Sequence, residues 1–144
     1  MIKIVCFGKI KESYLYDLIE DYKKRINKYH KIEIIELKDS TLDKETKDLL
    51  NIIDNNDYKI LCDIHGSSFD SVDFANHLDS LFIHNSNITF IIGSSYGVDE
   101  KIKNIVNERI SFSSFTMPHG LFRGVLLEQI YRAFKIINNE SYHK

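Results

Sequence analysis

Three short segments of this 144-residue chain combine glycine with small hydroxyl side chains, and each follows an apolar run of strand length. They are segments 63–68, 93–97 and 111–120. Glycine lets a backbone approach a ligand closely, and neighbouring serines leave backbone amides accessible. Ligands of open parallel sheets bind beyond the carboxyl ends of the strands, so we expect these segments to hold an adenine or a ribose. Each segment taken singly also fits a tight connection from strand to helix.

The same segments argue against several common chemistries. Segment 93–97 has neither the spacing of a dinucleotide-binding G-x-G-x-x-G motif nor a following Lys-Ser or Lys-Thr pair, which disfavours NAD and ATP. The chain has no G-x-S-x-G motif, so a serine hydrolase has no candidate nucleophile. The histidines are not spaced with carboxylates as metal ligands on a helix, and we predict no metal site.

The last three residues, Tyr142, His143 and Lys144, place an aromatic ring, an imidazole and an ammonium group in a row. Such groups are what a flipped nucleic-acid base and a phosphate would meet. Terminal residues are usually poorly ordered, which is the plainer interpretation of this tail.

Apolar runs of strand length alternate with stretches of helical period, which predicts an α/β fold with a mainly parallel sheet flanked by helices. The first helix, 13–29, has Ser13 as its expected N-cap, and a short helix is expected over 41–53 within a polar, acidic connector. The absence of repeats and of linker composition predicts a single domain, 1–144. The strands are expected near 2–7, 32–37, 58–64, 88–92 and 109–112.

The last predicted helix, 121–137, is apolar over more than the single stripe that covers one sheet face. A second surface must therefore cover the rest of it. Another copy of the chain is the simplest candidate and predicts a homodimer, because most soluble oligomers are symmetric. A helix buried entirely within one chain is the alternative.

Charge is unevenly distributed along the chain, although the formal net charge is only -2. Residues 1–31 carry 8 basic against 4 acidic side chains, residues 33–80 carry 4 against 12, and residues 81–144 carry 7 against 5. This gradient permits an RNA-binding surface at the basic ends without demanding one.

Both cysteines, Cys6 and Cys62, lie in apolar runs without the spacing of disulfides or zinc sites, so we expect reduced thiols. No apolar leader follows Met1, and no run approaches the roughly 18 residues of a membrane helix. A soluble, cytoplasmic protein is the expectation.

Four segments, 91–97, 111–119, 127–136 and 142–144, together with Arg123, resemble one family. They resemble the RlmH family, SPOUT-class methyltransferases that act on N3 of a pseudouridine in 23S ribosomal RNA. The resemblance implies an α/β fold with a C-terminal trefoil knot, a homodimer, and S-adenosyl-L-methionine bound in the knot loops. It further implies action on the large subunit or the assembled ribosome.

The resemblance also assigns site residues. His143 is implied as the base or positioning group, Arg123 as a cation, and Tyr142 as a stacking or hydrogen-bonding partner of the target base. The shared dimer sites of the family imply that the tail acts on the partner's cofactor, whereas His119 is expected to be structural. The implied cofactor contacts are Cys62, Gly93, Phe112, Ser113, Ser114, Phe115, Thr116 and Met117.

The chain departs from the family pattern at four positions: Cys62 replaces a usual leucine, Ser94 a second glycine, Gly120 a frequent glutamine, and Gly124 an apolar residue. Ser94 is tolerable where its φ is not positive. Gly124 within a helix costs about 1 kcal/mol relative to alanine and is expected to loosen the interface helix.

Two other functions remain open from the sequence. A non-catalytic RNA-binding module would keep the fold without turnover, and cofactor binding would distinguish it. A small-molecule α/β enzyme would methylate a metabolite rather than RNA.

Overall fold

Five strands alternate with five helices in the computed structural model, which describes residues 1–144. The strands are β1 (Ile2–Phe7), β2 (Ile32–Leu37), β3 (Tyr58–Ser68), β4 (Ile88–Ile92) and β5 (Glu108–Ser111). The helices are α1 (Ser13–Ile26), α2 (Leu42–Ile52), α3 (Ser71–His84), α4 (Glu100–Ile105) and α5 (His119–Ile137). All strands join one sheet in the order β2-β1-β4-β3-β5, and every pair is parallel. The predicted parallel sheet flanked by helices is confirmed.

Helices cover both faces of the sheet, because the side chains of each strand alternate between them. Phe90 of β4 packs in the cluster that includes α1, α3 and α5. Ile91, the next residue, packs with Leu49 of α2 and Ile102 of α4. Every residue of β4 is buried, as expected for a central strand of a parallel sheet.

The start of α1 differs from the prediction. Glu12, not Ser13, occupies the N-cap position, and it makes no side-chain cap hydrogen bond; Ser13 is already the first helical residue. The helix also ends at Ile26 rather than at residue 29. The short helix predicted over 41–53 is present as α2, with the Thr41 side chain accepting from the backbone N–H of Lys44.

The predicted loop 63–68 is not a simple loop, because β3 continues to Ser68. Ile110 of β5 pairs with both Cys62 and Ser67, so the residues between them bulge out of the ladder. Gly66 allows this bulge: a Cβ there would lie 2.6 Å from the carbonyl carbon of Arg109. The apolar run shows where β3 starts, but its end is set by contact with β5.

Most of the apolar surface of α5 is covered within the chain, although Leu121 at its amino end is 42% exposed. This helix packs between α1 and α3 on one face of the sheet. Leu126, Leu127 and Ile130 are fully buried there. The neighbouring helices thus cover most of the surface for which a second copy was expected, and the homodimer and the trefoil knot stay predictions. None of the five helices is long and apolar enough to span a membrane.

Candidate functional site

A cavity of about 640 Å³ lies at the carboxyl ends of β3, β4 and β5. The amino end of α5 completes it through His119 and Phe122. The structure brings together here the three segments that the sequence singles out. The predicted cofactor positions that line the cavity are Cys62, Gly93, Phe112, Ser113, Phe115, Thr116 and Met117. Ser114 is exposed in the same loop and does not line the cavity.

Serine side chains shape the loop that follows β5. The Ser111 hydroxyl donates to the carbonyl of Ser113 at 3.1 Å, and the Ser113 hydroxyl accepts from the backbone N–H of Phe115 at 2.9 Å. These local bonds turn the chain without a glycine. The turn leaves Phe115 83% exposed at the cavity wall.

The loop after β4 forms another wall. A Cβ at Gly93 would lie 3.0 Å from Val98 Cγ1 and 3.1 Å from the Gly97 backbone, so the turn folds closely over this position. Gly97 takes a φ of +75°, which favours glycine. Ser94 has no positive φ, so the condition under which serine is tolerable here is met.

Glu45 of α2 is a buried residue of the site that the sequence interpretation missed. It is 2% exposed, and its Oε1 accepts from the Ser94 hydroxyl at 2.5 Å. Its Oε2 accepts from the backbone N–H of Ser40 at 2.9 Å. The available signal was helical spacing, since Glu45 lies four residues before the buried Leu49.

Two polar groups line the cavity near β3. Burial raises the pKa of the Cys62 thiol well above its usual range, so the thiol is neutral at pH 7. Asp63 is the only acidic residue of the cavity wall, and its Oδ2 lies 3.6 Å from Arg109 Nη1. Apart from His119 and two glycines, the rest of the wall is apolar or hydroxyl-bearing, which suits a nucleoside.

Comparison with known families identifies the fold. Residues 1–143 match the family described as "Predicted SPOUT methyltransferase". The chain belongs to this SPOUT methyltransferase family. The resemblance seen in the sequence is therefore confirmed.

Similar proteins extend over the whole chain. The ribosomal RNA large subunit methyltransferase H of Malacoplasma penetrans is 43% identical over 156 residues, covering 99% of this chain and 99% of that protein. The protein of the same name from Clostridium beijerinckii is also 43% identical, over 157 residues, with 99% of each chain covered.

Solved structures of low sequence identity share the fold alone. The tRNA (m1G37) methyltransferase of Aquifex aeolicus superposes with a TM-score of 0.53 at 16% identity, covering 91% of this chain and 69% of that chain. A probable methylase family protein from Haemophilus influenzae Rd KW20 gives 0.54 at 11% identity, covering 96% of this chain and 66% of that chain.

Arg123 of this SPOUT chain is buried and does not line this cavity. It is 3% exposed, and its Nη1 donates to Glu36 Oε2 at 2.6 Å. Its Nη2 donates to the carbonyls of Phe7 and Gly8 at 3.3 and 3.1 Å. The guanidinium thus ties the start of α5 to the carboxyl ends of β1 and β2.

The C-terminal tail docks on α5 and α1 of its own chain. Tyr142 Oη donates to Glu128 Oε1 at 3.0 Å and lies 3.2 Å from Tyr22 Oη. Burial, with these hydrogen bonds to Tyr22 and Glu128, raises the pKa of the Tyr142 phenol. His143 Nδ1 lies 3.1 Å from Arg132 Nη1. Neither Tyr142 nor His143 lines the cavity of its own chain.

The remaining histidines and acids do not converge on a metal site. We find no group of three or more His, Cys, Asp or Glu side chains that could hold a metal ion. His119 lies exposed at the cavity rim, because Pro118 is the N-cap of α5 and the helix begins at the cavity; its expected structural role stays a prediction.

Proposed function

We propose that this chain is an S-adenosyl-L-methionine-dependent methyltransferase that modifies N3 of a pseudouridine in 23S ribosomal RNA. The proposal rests chiefly on the convergence of three separate loops around one nucleoside-sized cavity in a SPOUT methyltransferase fold. The relatives' names, which describe methyltransferases of large-subunit ribosomal RNA, support the substrate class. The ribosome, and with it the cytoplasm, is the proposed place of action.

The cavity fits the proposed cofactor in size and chemistry. Its volume of about 640 Å³ lies within the range of small-molecule sites, roughly 300 to 1,000 Å³. Phe112 and Met117 offer apolar contacts to an adenine, and Asp63 can accept hydrogen bonds from ribose hydroxyls. The close turn at Gly93 brings backbone atoms near the bound cofactor. When bound, S-adenosyl-L-methionine supplies an electrophilic methyl group, which replaces the N3 proton of the acceptor.

A base must take that N3 proton, and His143 is the better candidate within the tail. A guanidinium can only donate, so Nδ1 of His143 accepts from Arg132 in the docked tail, and this nitrogen can take a proton only after that hydrogen bond is released. Tyr142 has a raised pKa and stays a neutral phenol, so its proposed role is to stack on the base or donate to it. Arg123 is the proposed cation that stabilises the N3 anion.

The geometry favours an active site shared by two copies. The tail contacts α5 at Arg132, ten residues beyond the cavity residue Phe122, which corresponds to about 15 Å along a helix. A tail docked in this way does not reach the cavity of its own chain. We therefore propose a homodimer in which each tail acts at the partner's cavity.

The first test is transfer of label from S-adenosyl-L-methionine to ribosomes from a strain that lacks the modification. The expected product is a labelled pseudouridine in the large-subunit RNA, strongly reduced in Tyr142→Ala and His143→Ala. His84→Ala, a change at an exposed histidine on the end of α3, is the matched control and should retain activity. Absence of label despite cofactor binding and dimerisation would reject this substrate. Absence of cofactor binding would favour the non-catalytic RNA-binding module.

The shared site is tested by mixing two inactive variants. Gly93→Val should block the cofactor cavity, and His143→Ala should disable the tail, but a heterodimer of the two retains one intact site. After subunit exchange of equal amounts we expect about a quarter of wild-type activity, since half of the dimers are mixed. No recovery, with exchange demonstrated, would show that the tail acts within its own chain.

A further inference from the structure

A second cavity, of about 440 Å³, adjoins the cofactor cavity at the same edge of the sheet. It lies beyond the carboxyl ends of β1 and β2, whereas the cofactor cavity lies beyond β3, β4 and β5. Its wall includes the segment after β1, residues 39 and 40 after β2, and the loop after β4. No part of the proposed cofactor site explains this cavity.

The two cavities meet at the loop after β4 and at the start of α5. Ser94, Ser95 and His119 line both of them. A group bound in one cavity therefore lies directly across this short wall from a group bound in the other. Transfer between two bound molecules requires such close positioning of donor and acceptor.

The second cavity differs from the first in its charge. Lys9 and Lys11 line it, both are exposed, and neither forms an ion pair within the chain. The buried Arg123 also lines this cavity, and the Nε atom of Arg123 has no hydrogen-bond partner. Asp39 and Glu12 are the acids of the wall. Unpaired ammonium groups at the rim of a polar cavity suit a phosphodiester.

An exposed aromatic ring completes the second cavity. Tyr96 lies at the tip of the loop after β4, and it is 67% exposed at the cavity wall. Its backbone N–H donates to Ser94 Oγ at 3.2 Å, so the loop that carries the ring is tied to Glu45 through Ser94. Aromatic rings on a fixed loop are platforms on which unstacked RNA bases stack.

We infer that the second cavity binds the acceptor nucleotide, with its base on Tyr96 and its flanking phosphates on Lys9 and Lys11. The inference rests on the proposed function. In the proposed dimer, one copy supplies Tyr96, Lys9 and Lys11 to the acceptor, and the other copy supplies its C-terminal tail. Arg123 then faces the acceptor rather than the cofactor, which gives the buried cation a position suited to an N3 anion. The loop after β4 separates donor and acceptor.

The inference is tested with steady-state methyl transfer to ribosomes by Lys9→Ala/Lys11→Ala and by Tyr96→Ala. The double lysine variant should raise KM for ribosomes and lower the slope of log KM against log salt by about 1.4, the value for two single-strand phosphate contacts. Tyr96→Ala should lower kcat/KM by about 5- to 150-fold, and Tyr96→Phe should restore it. Affinity for S-adenosylhomocysteine should not change in any of them.

The matched control is Lys23→Ala/Lys24→Ala, which removes the same charge from α1 outside both cavities. Equal losses in the two double variants would overturn the inference, because general electrostatic attraction would then suffice. So would an unchanged KM in the Lys9/Lys11 variant.

A second measurement does not depend on turnover. Pseudouridine 5′-monophosphate, titrated into the protein with S-adenosylhomocysteine, should shift the amide resonances of residues 9–11 and 96. Shifts confined to other residues would overturn the inference. Inactivity of the wild-type protein on ribosomes, with shifts at residues 9–11 and 96, would reject the proposed substrate while leaving the nucleotide site in place.

Discussion

Gly66 and Gly124 both pack too closely for a side chain, but against different kinds of neighbour. A Cβ at Gly66 would lie 2.6 Å from backbone atoms of Arg109, in the strand that leads into the cavity loop. A Cβ at Gly124 would lie 2.5 Å from Leu18 Cδ2, the mobile end of a side chain that is 39% exposed. The first contact can be relieved only by moving β5, and the second by a change of rotamer.

The two alanine substitutions should therefore differ. Gly66→Ala should lower the free energy of unfolding by about 2 kcal/mol, in the range of overpacked sites. Gly124→Ala should leave it within about 1 kcal/mol of wild type, because the gain in helix propensity offsets the displacement of Leu18. Urea unfolding measures both. A larger loss in Gly124→Ala than in Gly66→Ala would contradict this account, because it would show that Leu18 cannot move aside for the added Cβ.

At the scale of elements, α2 contacts a loop of the site that is far from it in sequence. Its residue Glu45 accepts from Ser94 in the loop after β4, 49 residues away. The same carboxylate accepts from Ser40, and Ser94 accepts from the backbone of Tyr96. A helix in the acidic connector thus fixes the loop that separates the two cavities.

Glu45→Gln should loosen that loop. The amide nitrogen of glutamine cannot accept a hydrogen bond, so either the Ser40 N–H or the Ser94 hydroxyl can no longer donate to residue 45. Loss of that charge-assisted hydrogen bond should cost about 2 kcal/mol in unfolding free energy. Affinity for S-adenosylhomocysteine, measured by calorimetric titration, should fall as well. Glu20→Gln, at an exposed carboxylate on α1, is the control. Loss of stability with unchanged affinity would show that Glu45 supports the fold but not the loop.

Across the whole molecule, the carboxyl edge of the sheet forms the cavities and the amino edge contributes to stability. Both cavities lie at the carboxyl edge, whereas a buried ion pair lies at the amino edge. There Asp57 Oδ2, 1% exposed as a side chain, accepts from Lys3 Nζ at 2.9 Å and from Thr89 Oγ1 at 2.9 Å. One carboxylate therefore joins β1, β4 and the start of β3.

Protonation of Asp57 should lower the free energy of unfolding in acid. Burial alone would raise the pKa of this carboxyl, but hydrogen bonds from Lys3 and Thr89 outweigh burial and hold the pKa below its usual 3.8. A lowered folded pKa contributes stability that is present above the unfolded value and lost as the pH falls through the folded value. The difference in unfolding free energy between wild type and Asp57→Asn should thus be largest near pH 7 and shrink below about pH 4. A difference independent of pH would contradict this.

The sequence by itself determined the features that depend on local pattern. Alternating apolar and amphipathic runs predicted the parallel sheet and its helices, because periodicity is a local property of the chain. The three glycine and serine segments were predicted to meet, because carboxyl ends of parallel strands share one edge. The family motifs added the cofactor and substrate classes, which no single segment indicates.

Only the tertiary structure decided the features that depend on partners far apart in sequence. Arg123 pairs with Glu36, 87 residues away, so its burial and its place beside the second cavity could not be predicted from α5 alone. The bulge of β3 exists because Gly66 packs on β5, and α5 is covered because α1 and α3 flank it. Local patterns fix which residues form an element, whereas packing between elements fixes which atoms meet, and the chemistry of this site depends on the second.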